Sequence, residues 1–237
     1  MVVRMSEKTL WRKKDLNDAG KMPAAPEAFI RKTEKFVHAL CSRDCSGHDW
    51  WHVYRVRKMA LKIAREEKAD LFIVELAALL HDVDDWKVSK IHEPVKARKL
   101  LHSLGLAPGL IARICAIIEG ISFRGAGVPT PMSTLEGKCV QDADRLDALG
   151  AIGIARTFAY GGSKGRPIHD PAYKPRVHAS FEEYKKSVGT TIGHFYEKLL
   201  LLKDLMQTRA GRRLANERHA CMEEFLARFL AEWEGLE

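Results

Sequence analysis

From Leu71 to Val83 the chain is apolar on nearly every side, with Glu75 and the His81-Asp82 doublet as the main exceptions. A helix that is hydrophobic all round is stable only when other elements enclose it, so this segment predicts a central helix wrapped by amphipathic partners. Such partners are present on its N-terminal side. Phe29, Ile30, Thr33, Phe36, Val37 and Leu40 recur at helical spacing, and Val53, Val56, Ala60, Ile63 and Ala64 draw a second stripe.

The rest of the chain reads the same way. Pro94 and Gly105 frame a fourth helix, and Pro108 opens a fifth that runs to about Glu119. Gly125, Gly127, Pro129 and Pro131 keep residues 120–132 irregular, and a sixth helix carries Leu135, Val140, Ala143, Leu146, Leu149 and Ile152. Glycines and prolines predict a long surface loop over residues 160–178. Ser180 and Glu183 form a capping box before a helix marked by Phe181, Tyr184, Val188, Ile192, Phe195, Leu199 and Leu202. A last helix shows Leu214, Met222, Phe225, Phe229 and Trp233. Nothing alternates with the period of a strand. The expectation is all-α: one bundle of about eight helices over residues 27–237, preceded by a poorly ordered extension over residues 1–26.

With 46% hydrophobic residues in 237, the chain can fill a sizeable core. No run reaches the roughly 18 to 20 apolar residues that span a membrane. Met1 to Gly20 lacks the apolar block of a secretory signal, which favours the cytoplasm and leaves nuclear access open. Five cysteines, an odd number, point to reduced thiols, and the Cys41/Cys45 pair alone is a weak zinc signal. A net charge of +8 suits anionic partners. Basic residues form no block beyond Arg12 to Lys14, so small phosphorylated substrates account for the excess as well as DNA does, and a nucleic-acid partner ranks last.

Chemistry concentrates where the apolar helix ends. A carboxylate and an imidazole there either emerge into water or meet a partner that offsets their burial, and a metal cation is one such partner. His52, near the start of the preceding helix, and Asp144, among core-type residues of the sixth, extend the set. Imidazole nitrogen combined with carboxylate oxygen suits manganese, iron and similar ions better than calcium.

In this pattern, His52, then His81-Asp82, then the distant Asp144, the chain resembles the HD-domain metal-dependent phosphohydrolase superfamily. It is most similar to the small YedJ/YpgQ-like branch, through Gly47-His48-Asp49-Trp50-Trp51-His52, Leu79-Leu80-His81-Asp82, Ile121-Ser122-Phe123, Asp142-Ala143-Asp144-Arg145-Leu146-Asp147-Ala148, and the segments Gly150 to Thr157 and Gly165 to Asp170. The resemblance implies an all-helical HD fold, with one divalent ion (Mn, Mg or Fe) on His52, His81, Asp82 and Asp144. Asp142 competes for the last place, and the Ala-Asp-Arg-Leu match favours Asp144. It also implies hydrolysis of phosphoester or phosphoanhydride bonds, with nucleotide pyrophosphohydrolases among the relatives.

Water is the expected nucleophile. Asp85, one turn beyond Asp82, is the candidate to orient it or take its proton, with Asp84 as rival. Asp49 either orients an imidazole or caps its helix, and Asp147 has a similar ambiguity. His92 and His102 read as exposed helix histidines rather than ligands of a second ion. For substrate charge, Arg55 lies three residues after His52 on the same face, Lys87 follows the acidic cluster, and Arg166 and His169 sit on the glycine-hinged loop with Lys164, Lys174 and Arg176. The expected substrate is a small phosphorylated molecule, foremost a nucleotide. A metal-containing sensor module without efficient turnover is the alternative, and apolar stripes leave a homodimer open.

Overall fold

The computed structural model describes residues 23, 25–41, 49–84, 94–121, 129–176 and 189–236. Among the described residues every regular element is helical: α1 (Pro26–Cys41), α2 (Trp50–Glu67), α3 (Leu71–Leu80), α4 (Val95–Ser103), α5 (Pro108–Ile121), α6 (Leu135–Asp147), α7 (Gly150–Ser163), α8 (Thr191–Glu197), a 3-10 segment (Leu199–Leu205) and α9 (Arg209–Trp233). The all-α expectation holds. Of the extension over residues 1–26, only Pro23, Ala25 and Pro26 are described, and Pro26 opens α1.

Helix α3 is the axis. Ile73, Val74 and Leu76 to Leu80 are fully buried, enclosed by α1, α2, α5 and α6. Its N-terminus is fixed by Asp70, whose carboxylate accepts from Phe72 N and Ile73 N. Such a cap is worth about 1 kcal/mol. Glu75, the one charge within it, accepts from Arg57 Nε of α2 at 2.9 Å. Leu71, at the helix mouth, is exposed.

Three expectations need correction. The stretch read as one helix from Leu135 to Ile152 is two. Ala148 N bonds to Arg145 O, Leu149 N bonds to Leu146 O, and the chain turns into α7 through Gly150 at φ +69°. A left-handed residue is cheap only for glycine, and the apolar period continues through the break because Leu149 is still core. The loop expected from residue 160 begins later, since α7 runs to Ser163. Gly161 is a packing glycine: a Cβ there would lie 2.3 Å from Thr191 Oγ1 on α8.

The helix expected from Phe181 to Leu202 is also divided. Its first half and the Ser180/Glu183 capping box lie outside the described residues. Thr190 starts α8 by accepting from Gly193 N, and Lys198 separates α8 from the 3-10 segment.

Candidate metal centre

Three helices deliver the polar set. Asp49 caps α2, its carboxylate accepting from His52 N at 2.9 Å, so its role is the cap rather than support of an imidazole. The same contact places His52 in the first turn of α2, 1% exposed. His81 is the C-cap of α3 and Asp82 lies in the turn after it, where an all-apolar helix can first release polar side chains without crossing its own core. Asp144 faces α2 and α3 from α6.

Their donor atoms converge. His52 Nε2 lies 3.1 Å from His81 Nε2, 3.3 Å from Asp82 Oδ2 and 3.4 Å from Asp144 Oδ1. His81 Nε2 lies 3.4 Å from Asp82 Oδ2 and 3.9 Å from Asp144 Oδ1.

Hydrogen-bond partners fix which nitrogens carry protons. His81 Nδ1 is 2.8 Å from the carbonyl of Ala78, which can only accept, so Nδ1 donates and Nε2 presents its lone pair. His52 Nδ1 is 2.7 Å from Asp147 Oδ2, so it too donates there. Two imidazole Nε2 atoms and two carboxylates therefore face one another at contact distance. A proton on His52 or a metal cation reconciles them, and the mixture of nitrogen and oxygen suits a borderline divalent ion. The imbalance also shows in acidity. Burial opposes charge on His52, but Asp144, Asp147 and Asp82 outweigh it and hold its pKa well above the ordinary 6.5. Burial pushes Asp144 up, yet its bond to His52 and the nearby imidazoles bring it down to about 2.

Asp147, read from sequence with two possible roles, supports this cluster from behind. It is 4% exposed. Besides His52 Nδ1–H it accepts from Arg55 Nε at 2.7 Å, Arg55 Nη2 at 3.0 Å and Arg156 Nη1 at 2.7 Å. Burial works against its charge, but these donors hold its carboxyl far below the usual range. Arg55 has two of its nitrogens engaged by Asp147, the residue that also bonds His52. Arg156 went unnoticed in the sequence. Its signal was its place in the Gly150 to Thr157 segment, nine residues after Asp147 and just beyond the chain break that brings α7 back.

The other expected residues divide. Asp84 accepts from Lys96 N at 3.1 Å and Ala97 N at 3.0 Å, capping α4. Asp85, Lys87, His48, His92 and Cys45 lie outside the described residues. Arg166 stacks over the Tyr160 ring at 5.6 Å, and His169 packs edge-on against Trp233 at 4.9 Å, so both line α7 and the end of α9. His102 is exposed on α4, and Cys115, Cys139 and Cys221 are free thiols.

The HD domain family model matches residues 50–149, a span that contains all four donor residues. YpgQ of Bacillus subtilis is 39% identical over 212 residues, covering 85% of this chain and 92% of YpgQ. An HD-superfamily hydrolase from Bacillus thuringiensis superposes with a TM-score of 0.70 and 43% identity, over 88% of this chain and 98% of that one. The chain belongs to the HD-domain superfamily. Within it, the chain stands beside the YpgQ proteins: B. subtilis YpgQ in complex with ADP superposes with a TM-score of 0.69 and 34% identity, over 88% of this chain and all of YpgQ (100%). No helix among the described residues is long and apolar enough to cross a membrane.

Proposed function

We propose that the protein is a metal-dependent phosphohydrolase acting on a small phosphorylated substrate, foremost a nucleotide, with His52, His81, Asp82 and Asp144 as its metal ligands. One observation carries the proposal: His52 Nε2, His81 Nε2, Asp82 Oδ2 and Asp144 Oδ1 converge as two nitrogen and two oxygen donors. The donor set fits one manganese, magnesium or iron ion. A divalent ion there supplies Lewis acidity toward a phosphoryl oxygen and lowers the pKa of a water toward roughly 7.

The chain's own residues do the remaining work. Ala78 O and Asp147 hold the two Nδ1 protons and so aim both Nε2 atoms at the cluster. Arg55, one-third exposed, offers its guanidinium edge to an anionic substrate while Asp147 fixes its plane. Lys87, Arg166 and His169 remain candidates for outer phosphate contacts. Asp85 is the proposed proton acceptor for the attacking water, and the capping bonds of Asp84 favour it over that neighbour. The ADP complex of YpgQ supports a nucleotide as substrate, and splitting of a nucleoside triphosphate into monophosphate and pyrophosphate is the form favoured.

The test is a panel of nucleotides and other phosphorylated compounds offered with manganese, magnesium or no metal. Release is expected only with metal, and only from the protein with an intact site. Equal release from the His81→Ala, Asp82→Ala double variant would remove these residues from the chemistry.

A further inference from the structure

Trp51 is 60% exposed, the most exposed aromatic ring among the described residues, and it precedes His52 directly. Water-facing indole is costly to maintain, because a tryptophan ordinarily hides most of a large apolar surface. Its position on α2 is specific. At about 100° per residue, Arg55 lies roughly 60° round the helix from His52, and Trp51 lies roughly 40° further round the same side. One ridge of α2 thus carries, in order, a donor of the metal cluster, a guanidinium and a flat aromatic ring. Trp51 and Arg55 are one turn apart, about 6 Å along the helix.

The ring is braced rather than loose. Tyr54 meets it edge to face, with centroids 5.7 Å apart and planes at 81°. Tyr54 is held in turn by Lys58, whose Nζ sits 5.1 Å over its ring, and by Trp50 at 6.5 Å. Trp50 packs against His38 of α1 at 5.0 Å, anchoring the group to a second helix. A rigid indole loses little conformational entropy when a planar group stacks on it. Arg55 gives Nε and Nη2 to Asp147, and Nη1 makes no bond among the described residues.

We infer that Trp51 is the nucleobase platform of the site: an aromatic base stacks on its indole while Arg55 Nη1 takes a phosphate oxygen and the reacting phosphorus lies at the His52 cluster. The inference rests on the proposed nucleotide reading and deepens it, assigning base recognition to stacking. Stacking tolerates every base, so discrimination among bases is weak unless other groups supply it.

The experiment is calorimetric, so that it reads binding without turnover. ADP and inorganic pyrophosphate, which share an anionic head and differ in having a base, are titrated in the presence of manganese into the wild-type chain and the Trp51→Ala and Trp51→Phe variants. Trp51→Ala should weaken ADP at least about fivefold, the value of a weak base stack, and shift pyrophosphate less than about twofold. Trp51→Phe should recover most of the loss. Equal weakening of both ligands, unchanged ADP affinity in Trp51→Ala, or no ADP binding by the wild-type chain overturns the platform. Failure of the hydrolase reading looks different: ADP binds and depends on Trp51, yet no phosphorylated compound is cleaved. Because Trp51 is a surface residue, its removal should leave the melting temperature within a few degrees, which separates lost stacking from lost fold.

Discussion

Asp142 and Asp144 stand two residues apart on α6, and their carboxylates meet opposite surroundings. Asp142 is fully buried and surrounded by donors: Gln207 N at 2.9 Å, Thr208 N at 2.8 Å and Thr208 Oγ1 at 2.7 Å. Gln141 and Arg145 extend that face, the first donating to Gly120 O and Thr130 O, the second to Thr130 Oγ1 and Leu205 O. There protein groups satisfy protein groups. Around Asp144, by contrast, stand two imidazoles and a second carboxylate. A buried carboxylate saturated by neutral donors holds a fold together, whereas one grouped with imidazoles and another carboxylate suits a cation.

The largest test of that contrast is activity. Asp144→Ala should reduce metal-stimulated phosphate release about a thousandfold, since the ion contributes several kcal/mol to the transition state, with the chain still folded. Turnover unchanged by this substitution would reverse the assignment of the two aspartates.

Asp142→Ala should do the opposite, leaving Gln207 N, Thr208 N and Thr208 Oγ1 without their acceptor. Breaking such a network costs about 3 kcal/mol or more, roughly a 6 to 12 °C fall in melting temperature for a domain of this size, while the folded fraction keeps its metal. An unshifted melting curve would mean that Asp142 does not tie α6 to α9.

How much of this was legible in the sequence follows from the same pair. Spacing alone puts both aspartates in one helix among core residues, and only the match of the Ala-Asp-Arg-Leu motif favoured Asp144. What decides between them, the backbone at residues 207–208, comes from more than 60 residues away. The His81-Asp82 doublet was conspicuous because it ends an apolar helix, where local sequence carries the signal. Breaks near Ala148 and Lys198 were hidden because the apolar period runs through them, and Gly161 was misread because close packing and loop formation both select glycine. Arg156 was overlooked because its partner, Asp147, is brought to it by a chain reversal.

Asp147 lies between the two extremes and sharpens the contrast. Asp147→Asn removes its charge at nearly constant shape, so His52 loses the anion behind its Nδ1–H. Metal affinity measured by titration should fall about 10- to 100-fold. Wild-type affinity would show that the imidazole needs no such support.

Acidity gives the smallest effect and a signed one. In the metal-free chain the raised pKa of His52 contributes stability that is complete below about 6.5 and lost as pH rises through the raised value. The depressed pKa of Asp144 contributes above its ordinary 3.8 and is lost as pH falls through about 2. Metal-free protein should therefore melt highest between about pH 4 and 6.5. Added manganese should move that optimum upward by competing with the proton on His52. Identical optima with and without manganese would show that no ligand gives up a proton to the ion.

The central claim is tested most directly by an anomalous-scattering map of crystals grown with manganese. The account predicts one peak, bonded to His52 Nε2, His81 Nε2, Asp82 Oδ2 and Asp144 Oδ1. A map with manganese bound elsewhere, and these four side chains joined only to one another, would contradict it.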